Sequence, residues 1–522
     1  MLRAEPSGAQ QGSSGLSDIV LAMFSAGLAS TDSREADYPV LAEALPRLDT
    51  DTWRVLPDGQ METVYRLRAG LTWHDSTALT AEDFVFGQRV RAKRIEWGQL
   101  SASQESRLIT EARALDASTL QLRWSAPYAD AAVPDLYPMP RHIIEPVLDA
   151  GHPETLNGHP YWFGEFVGVG PFKLAQWESG AFIEASAFDG FALGRPKIDR
   201  VRITWSSDPN ATIARLLAGD AHVALDDALQ FQQISPLRQE WLPGGRGGLV
   251  LSPTRLRLIQ VQHRPDNGTP RALTDVRVRQ ALLLAIDRKE LAETMLEGES
   301  AVADAMVPAT VGYWGAVERA VTKYPYFDPR ESEQLMADMG FTRGADGIFS
   351  RPGDGRFTLE MRGVAEGQEA QDTTIMADYL RRAGFDANLL LLTRAQRVAS
   401  EELQTLYPAL SSNNNTLRAD MGMTKLATSQ MATLENQWLG TNKTGYSNPR
   451  FDAEYAAWNV SLDRGQRDQH MVEMARIVST DLPTLPLYLN FEVIAHVADL
   501  EGPQVRGPRT VKHTNVYDWH WK

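Results

Sequence analysis

The chain has 522 residues, and single hydrophobic cores stop growing near about 250–300 residues, so at least two packed units are expected. Hydrophobic residues make up 43% and charged residues 23%, which is typical of a globular protein and excludes a disordered one. The formal net charge of −15 argues against nucleic acid or anionic lipid as a partner. Because cysteine is absent, disulfides, thiol nucleophiles and thiolate metal sites are excluded.

The N-terminal segment lacks the pattern of a secretory signal. Residues 1–15 form a polar run rich in Gly and Ser. The mildly apolar stretch at 19–29 has no basic region before it and no A-x-A cleavage site after it. No stretch reaches the roughly 20 apolar residues that a transmembrane helix needs. The sequence therefore predicts either a cytoplasmic protein or one whose export signal lies upstream of Met1.

Strand-like and helix-like patterns alternate along the chain and predict a mixed α/β protein. The predicted strands, in chain order, are at residues 62–67, 120–124, 172–176, 222–225, 356–361, 387–392, 405–410 and 485–496. The predicted helices are those opened by the capping box Thr80-Ala-Glu-Asp83 and by Asp208-Pro209, and those at 274–285, 287–297, 328–340, 373–383 and 467–479. The helix at 373–383 lies between two predicted strands, which is the order of a βαβ crossover.

We find no catalytic or nucleotide-binding motif in the chain. The sequence has no H-E-x-x-H, no G-x-S-x-G and no G-x-x-x-x-G-K-[ST]. The ten histidines are scattered without metal-ligand spacing, so neither a metal nor another cofactor is predicted. The adjacent carboxylates of Asp226 and Asp227 would point to opposite faces of a strand and would not flank one bond. Nothing positive in the sequence therefore indicates an enzyme.

A series of motifs, taken together, resembles one known family. The first run comprises Trp53-Arg-Val-Leu-Pro-Asp-Gly59, Tyr65-Arg-Leu-Arg-Ala-Gly70, Leu71-Thr-Trp-His-Asp75 and Leu79-Thr-Ala-Glu-Asp-Phe84. The other motifs are Pro39-Val-Leu-Ala-Glu-Ala-Leu45, Gly168-Val-Gly-Pro-Phe172, Asp275-Val-Arg-Val-Arg-Gln-Ala281, Ala285-Ile-Asp-Arg288 and Tyr446-Ser-Asn-Pro-Arg-Phe-Asp452. Taken in chain order, they are similar to the signature of family 5 extracellular solute-binding proteins, the receptors of peptide, nickel and opine ABC importers. The resemblance covers about residues 17 to 500.

The resemblance implies an α/β, two-lobed periplasmic-binding-protein-like fold of the large type II, three-domain class, with a hinge between the lobes. Lobe one is expected from residues 1–44, 166–262 and 489–522, with an inserted domain at 45–165, and lobe two from residues 263–488. The chain is expected to cross the hinge near residues 261–264 and 487–491. Two such crossings would let the lobes close around a solute.

The implied function is that of an extracytoplasmic receptor of an ABC importer. It would capture a peptide or peptide-like small solute in the cleft between the lobes and deliver it to the transmembrane subunits of a permease. It would be a monomer that catalyses no reaction, located in the periplasm or at the cell surface, with its signal or lipid anchor outside the given chain. Two alternatives stay open, a hydrolase with a Trp-lined cleft and a binding protein with a signalling or chaperone role. Two carboxylates facing each other across the cleft would favour the hydrolase.

Family peptides are held as an added strand against backbone of both lobes. Two segments of this chain match. The first is Ser25-Ala26-Gly27-Leu28, and the second is the end of the predicted strand at 405–410, which continues into residues 411–415, the Ser–Asn run. Side chains at two further matching positions could stack on a ligand. The predicted ligand-binding residues are Ala26, Gly27, Ser412, Asn413, Asn414, Asn415, Trp438 and Tyr446. The alternatives are a strand-to-turn glycine at Gly27, a plain turn at Asn413, Asn414 and Asn415, and core packing of Trp438.

The sequence departs from the family pattern at this Ser–Asn run. Peptide-binding members carry a Trp and an Asp there, and the Asp pairs with the α-ammonium of the ligand. This chain has serines and asparagines instead, and a neutral amide supplies no charge-assisted hydrogen bond. The ligand is therefore predicted not to be a conventional peptide with a free amino terminus.

Overall fold

The computed structural model describes residues 2–5, 23–32, 36–100, 102–206, 208–225, 228–267, 270–299, 301–503 and 515–522. The pair Asp226 and Asp227 lies outside the described residues. The chain divides into two compact units. Unit 1 comprises Met1–Ser252, Asn459–Leu462 and Glu492–Lys522, and unit 2 comprises Pro253–Trp458 and Asp463–Phe491. The predicted lobe boundaries, inserted domain and hinge stay predictions.

The described residues form a mixed α/β structure. The strands are β1 Leu2–Glu5, β2 Ala29–Thr31, β3 Asp37–Pro39, β4 Trp53–Val55, β5 Met61–Arg66, β6 Ile109–Asp116, β7 Thr119–Trp124, β8 Phe172–Glu178, β9 Phe182–Ala187, β10 Arg200–Thr204, β11 Val223–Ala224, β12 Gly247–Val261, β13 Thr342–Arg343, β14 Phe349–Arg351, β15 Gly355–Arg356, β16 Thr358–Val364, β17 Asp386–Leu392, β18 Leu410–Thr416, β19 Thr484–Val497, β20 Leu500–Glu501 and β21 His520–Trp521. The α-helices are α1 Ala81–Glu96, α2 Gln104–Leu108, α3 Arg141–Asp149, α4 Pro153–Asn157, α5 Pro209–Ala218, α6 Val276–Leu284, α7 Arg288–Leu296, α8 Trp314–Ala320, α9 Pro329–Asp338, α10 Gly367–Arg382, α11 Arg394–Arg397, α12 Glu401–Thr405, α13 Ala419–Thr424, α14 Pro449–Val460 and α15 Arg464–Asp481.

The helix starts predicted at Thr80 and Asp208 are confirmed, and hydrogen-bonded caps explain them, whereas α10 and α15 begin at Gly367 and Arg464, before the predicted residues 373 and 467. The backbone N–H of Thr80 donates to Asp83 Oδ2 at 2.8 Å, which closes the capping box of α1. The carboxylate of Asp208 accepts from the N–H of Asn210 at 2.9 Å and opens α5. Helix α5 ends at Gly219, whose φ of 78° is left-handed and favours glycine.

Unit 1 contains two main sheets. In the first, β1 lies parallel to both β10 and β11, and β8, β9 and β10 continue it with antiparallel pairing. The second has the order β4-β5-β7-β6 and is antiparallel throughout. In β7 the alternating residues Leu120, Leu122 and Trp124 are buried, so this strand has one face in an apolar core.

Unit 2 is built on the strands β17-β16-β18-β12. Strands β16 and β17 are parallel and α10 connects them, which confirms the predicted βαβ crossover. Strand β18 pairs with both β16 and β12. A separate apolar cluster of this unit includes Met423, Phe451 and Met474. None of the described helices combines the length and the apolar character that crossing a membrane requires.

The prediction of a strand at residues 405–410 is wrong. Helix α12 occupies Glu401–Thr405, because the Ser400 hydroxyl caps it by accepting from the N–H of Leu403 at 2.9 Å. The strand begins at Leu410 and includes the whole Ser–Asn run, so the alternative reading of Asn413, Asn414 and Asn415 as a turn is also wrong. Hydrogen bonding to neighbouring strands outweighs the low strand propensity of asparagine.

Candidate functional site

A cavity of about 520 Å³ lies within unit 1. Much of its wall is aromatic, formed by Tyr38, Trp73, Tyr137, Tyr161, Trp162, Phe166, Phe191 and Tyr517. A smaller set of polar side chains lines it as well, namely Ser25, Ser30, Arg91, Arg94, Ser103 and Asp135. A largely apolar cavity with a few polar groups is the usual form of a small-molecule site.

The predicted ligand segment forms part of this wall. Both Ala26 and Gly27 line the cavity, and Ala26 is only 7% exposed. Within the described residues, the N–H groups of Ala26 and Gly27 and the C=O of Ala26 make no hydrogen bond. Buried backbone groups are almost always paired, so the N–H and C=O groups of the buried Ala26 require an external partner. A bound ligand or water in the cavity can supply it.

Two glycines position this segment. The N–H of Gly170 donates to the carbonyl of Phe24 at 2.8 Å. A Cβ at Gly168 would lie 1.9 Å from the carbonyl oxygen of Phe24, and one at Gly170 would lie 2.5 Å from the nitrogen of Ser25. Only glycine permits backbone approach this close. The turn that the sequence predicts at Gly168–Gly170 therefore also supports the cavity wall directly before Ala26.

A buried histidine fastens the same turn. His74 Nδ1 accepts from the N–H of Gly168 at 3.1 Å, and His74 Nε2 donates to the carbonyl of Gly170 at 3.0 Å. Both hydrogen bonds together require the neutral tautomer that carries its proton on Nε2. Burial lowers the pKa of His74 to about 4, which keeps the ring neutral at physiological pH.

The pH dependence of stability tests this arrangement. Because the pKa of His74 is lower in the folded state than in the unfolded state, the unfolded state takes up the proton first as pH falls. We expect its contribution of about 3 kcal/mol to be intact above pH 6.5 and to be lost between pH 6.5 and pH 4. Denaturant unfolding across this range should show a shallower decline for His74→Gln than for the wild type. Parallel declines would contradict this role of His74.

Two further donors in the cavity-lining residues have few or no partners among the described residues. Trp73 is 1% exposed, and its Nε1 has no hydrogen-bond partner within the described residues. Arg94 Nε donates to Gln99 Oε1 at 3.4 Å and has no carboxylate partner in the described part of the chain. Asp135 accepts from Arg91 Nη2 at 3.2 Å. Arg94 is thus a spare cationic donor among the lining residues, whereas Trp73 Nε1 is buried and the acidic lining residue Asp135 is already paired.

The predicted residues of the Ser–Asn run lie on β18 in unit 2 and face different ways. Asn413 and Asn415 line a second, polar cavity of about 250 Å³. Asn414 does not line it, because alternate residues of a strand point to opposite faces, and its Oδ1 is buried without a partner among the described residues. Ser412 is fully buried, and its hydroxyl lies 2.9 Å from Thr373 Oγ1.

The two predicted aromatic residues lie apart from both cavity walls. Tyr446 is 3% exposed, belongs to the apolar cluster of unit 2 and donates its hydroxyl to Asp481 Oδ2 at 2.6 Å. Trp438 is half-buried, with a φ of 61°, and its carbonyl accepts from Lys443 Nζ. Their predicted contact with a ligand stays a prediction.

Sequence reasoning missed most of the cavity lining. The aromatic wall of unit 1 includes Trp73 and Tyr137, which are distant from Ala26 in sequence. In unit 2, the cations Arg397 and Lys425 line the polar cavity with Tyr407. Only the spacing of Gly168 and Gly170 carried a local signal, and it indicated a turn without indicating what the turn contacts.

The unit 1 cavity lacks the pair of facing carboxylates that the hydrolase alternative requires. Asp135 is the only acidic residue among those that line the unit 1 cavity, so no pair of carboxylates flanks it. In the part of the chain that the structure describes, no group of three or more His, Cys, Asp or Glu could hold a metal ion.

Comparison with known proteins identifies the family that the chain matches. Residues 43–432 match the family described as "Bacterial extracellular solute-binding proteins, family 5 Middle". The chain is 23% identical over 532 residues to the oligopeptide-binding protein AppA of Bacillus subtilis, covering 97% of this chain and 90% of that one. These matches do not favour the hydrolase alternative.

Solved structures share the fold along the whole chain. NikZ from Campylobacter jejuni in complex with Ni(L-His) gives a TM-score of 0.80 at 19% identity, covering 100% of this chain and 99% of that chain. The oligopeptide-binding protein from Thermus thermophilus complexed with a pentapeptide gives 0.80 at 21% identity, covering 99% and 96%. The predicted periplasmic-binding-protein-like α/β fold is confirmed. The chain belongs to family 5 of the bacterial extracellular solute-binding proteins, the solute-capturing receptors of ABC importers.

Proposed function

We propose that this receptor binds a peptide or peptide-like solute in the unit 1 cavity and delivers it to the transmembrane subunits of an ABC permease. The observation that carries the proposal is the set of backbone groups at Ala26 and Gly27 that have no partner within the described residues and lie in the cavity wall. An extended peptide presents alternating N–H and C=O groups and can pair with such a segment as an added strand. Apolar side chains of the solute would pack against the aromatic wall.

The lining of the cavity supports a narrower class of solute within this proposal. An α-ammonium needs an unpaired carboxylate, and the acidic lining residue Asp135 is already paired with Arg91. We therefore propose a solute whose amino terminus is blocked, absent or unimportant for binding. The matching protein from Bacillus subtilis is named for oligopeptide binding, which supports the peptide class.

The remaining parts of the proposal concern partners and location. We propose a monomeric receptor that works in the periplasm or attached to the cell surface. Family membership supports an extracellular location. The lobes at residues 1–44, 166–262 and 489–522 and at 263–488, the insertion at 45–165, and ligand contacts from β18 also belong to this proposal.

A thermal-shift screen tests the proposed ligand class. Free and N-blocked peptides, opines and metal chelates would be compared at equal concentration. A ligand at a hundredfold excess over its Kd stabilises the folded protein by about 2.7 kcal/mol, which is easily detected. The proposal expects hits among peptides or opines. Hits confined to metal chelates would contradict it, and so would hydrolysis of a bound compound.

Gly27→Ala tests the proposed contact between Gly27 and the backbone of the ligand. A Cβ at Gly27 would lie 3.6 Å from both the carbonyl of Ala29 and Tyr137 Cε1, which are ordinary contacts, so the fold should accept it. The added methyl would obstruct close approach of the ligand backbone. We expect calorimetric affinity for the best hit to fall about tenfold, the value of one hydrogen bond.

Gly164→Ala serves as the matched control for this experiment. No atom lies within 4 Å of its added Cβ, and the residue does not line the cavity. Both variants should unfold within about 2 °C of the wild type. Unchanged affinity in Gly27→Ala would exclude backbone contact at this position.

A further inference from the structure

A buried glutamate lies directly behind the wall of the unit 1 cavity. Glu105 belongs to α2 and is only 5% exposed, and it does not line the cavity itself. The two residues that it contacts do line it, because Arg91 of α1 and Asp135 both belong to the cavity wall. A carboxylate is almost never buried this completely unless it is paired, so these contacts indicate what Glu105 does for the cavity.

Glu105 fixes one end of an irregular part of the wall. Residues 135–139 all line the cavity and lie outside the helices and strands that the structure describes. Glu105 Oε2 accepts from the backbone N–H of Asp135 at 3.0 Å, at the first residue of this run. The N–H of Met139, at the last residue of the run, donates to the carbonyl of Asp83 on α1 at 3.0 Å. The shape of the run therefore depends on anchors outside it, and Glu105 is one of them.

Arg91 connects the same carboxylate to the charge of the cavity. Its Nη1 lies 3.5 Å from Glu105 Oε1, and its Nη2 donates to Asp135 Oδ2 at 3.2 Å. The side chain of Asp135 is 67% exposed, so water screens that pair, whereas the side chain of Glu105 is 7% exposed and is screened far less. The ionisation state of Glu105 therefore has the larger effect on how firmly Arg91 is held.

Glu105 changes its charge near neutral pH. Burial raises the pKa of Glu105 to about 7, and the hydrogen bond from Asp135 and the charge of Arg91 offset burial only in part. Among the described residues, the other titratable groups that face it are the Asp135 carboxylate, which adds to the rise, and Tyr65 of β5. Burial raises the pKa of Tyr65, so this phenol stays neutral. The carboxyl group of Glu105 is therefore largely protonated at pH 6 and largely ionised at pH 8.

We propose that ionised Glu105 is a positioning residue of the unit 1 cavity, which holds Arg91 and residues 135–139 in the shape that binds the solute, and that solute capture therefore releases a proton. The inference rests on the proposed function, because it concerns binding in the same cavity. A solute that fills the cavity removes water from Arg91, and a guanidinium that loses water gains from an ionised partner. Glu105 is already buried, so the solute changes the hydration of Glu105 little. Occupancy of the cavity thus favours the ionised carboxylate, and affinity should rise with pH.

The binding test compares the wild type with Glu105→Gln, which cannot ionise, at pH 6 and pH 8. The probe is a pool of N-acetylated tripeptide amides built from Ala, Leu, Phe and Ser, so no ligand group titrates in this range. Equilibrium dialysis followed by mass spectrometry quantifies what is bound. We expect the wild type to bind the pool about fivefold more tightly at pH 8, within the roughly tenfold limit that one proton with a pKa of about 7 allows over this range. Glu105→Gln should bind with the weaker affinity at both pH values.

Glu111→Gln is the matched control, because it removes one negative charge from an exposed strand position of the same unit. Its affinity should depend on pH as that of the wild type does. The melting temperature of ligand-free Glu105→Gln at pH 8 should equal or exceed that of the wild type, because a buried charge is removed. A carboxylate that only stabilises the fold would instead lower the melting temperature when replaced, and the pH dependence of affinity would stay unchanged.

A second measurement needs no ligand. Hydrogen–deuterium exchange at the amide of Asp135, corrected for the intrinsic effect of pH, reports the hydrogen bond to Glu105 directly. The wild type should protect this amide about fivefold less at pH 6 than at pH 8, because protonation removes the charge that strengthens the hydrogen bond. Glu105→Gln should show the weaker protection at both pH values.

Distinct outcomes overturn the inference and the proposed function. If the wild type binds the pool equally at both pH values, the inference is wrong while peptide binding stands. If the pH dependence of affinity survives Glu105→Gln, another group titrates and the inference is also wrong. If no peptide is bound at either pH, the peptide proposal fails, and the Asp135 amide decides the inference. Protection that falls at pH 6 in the wild type alone supports the positioning role of Glu105, and equal protection at both pH values overturns it.

Discussion

Asp372→Asn is expected to lower the free energy of unfolding by about 3–5 kcal/mol, because it leaves a buried guanidinium without its counter-ion. The side chains of Arg257 and Asp372 are each only 1% exposed. Arg257 Nε donates to Asp372 Oδ2 at 2.6 Å, and the hydroxyl of Tyr488 donates to the same oxygen at 2.8 Å. An amide cannot accept these charge-assisted bonds and also replace the lost charge.

The destabilisation caused by Asp372→Asn should extend to β18, the strand that carries the Ser–Asn run. Thr373 Oγ1 accepts from Arg257 Nη2 at 3.1 Å and lies 2.9 Å from the hydroxyl of Ser412 on β18. Loosening Arg257 therefore disturbs the strand that carries the polar cavity of unit 2. Denaturant unfolding measures the loss of stability.

Asp378→Asn is the matched control on the same helix. Asp378 pairs with Arg382 at 2.8 Å, but both side chains are more than half exposed, so its removal should cost less than about 1 kcal/mol. Similar losses for Asp372→Asn and Asp378→Asn would contradict the assignment of Arg257–Asp372 as a buried pair that stabilises unit 2.

Gly170→Ala is expected to have the second largest effect, about 3 kcal/mol or more of lost stability. Its added Cβ would lie 2.4 Å from the carbonyl carbon of Phe24 and 2.5 Å from the nitrogen of Ser25, and both are backbone atoms that cannot move aside as a side chain can. Relief of this clash must displace the segment that leads into Ala26. Ligand binding in the unit 1 cavity should therefore be lost together with stability.

The combination of effects distinguishes Gly170 from Gly164, a glycine of the same unit with open space around it. Gly164→Ala adds the same methyl where no atom lies within 4 Å, so stability and affinity should both be retained. Thermal unfolding and calorimetric titration of the two variants supply the comparison. A Gly170→Ala protein as stable as the wild type would show that the Phe24–Ser25 backbone does not rest on this glycine.

Local signals in the sequence were sufficient for about half of the described α-helices, including the longest ones. The caps at Thr80 and Asp208 are contained in a few neighbouring residues, so the helix starts follow from residue type and spacing. The βαβ crossover around α10 is equally local. The family resemblance then supplied the fold, which no single motif specified.

The sequence did not predict features that depend on tertiary pairing. Asn413 and Asn415 have low strand propensity and lie in a strand because β12 pairs with them. The opposite orientation of Asn414 follows only once that strand is known. Arg397, Tyr407 and Lys425 carry no local signal of a shared cavity, because folding alone brings them to one wall.

The contacts of the predicted site residues likewise could not be predicted from the sequence. Ala26 and Gly27 were identified through the resemblance, and their unpaired backbone groups became visible only with the hydrogen bonds that the structure describes around them. Tyr446 was predicted near a ligand, but the sequence does not reveal the hydrogen bond to Asp481 that holds it in the core. Matching a motif locates a residue in the chain and leaves its contacts undetermined.

Hydrogen–deuterium exchange at the amides of Ala26 and Gly27, measured with and without the best peptide or opine from the thermal-shift screen, tests the central claim most directly. In the ligand-free protein these amides have no hydrogen bond to any described residue and should exchange quickly. We predict that saturating ligand slows their exchange at least about tenfold, as expected for one new hydrogen bond. Exchange that stays fast while the ligand raises the melting temperature would show that the solute binds elsewhere.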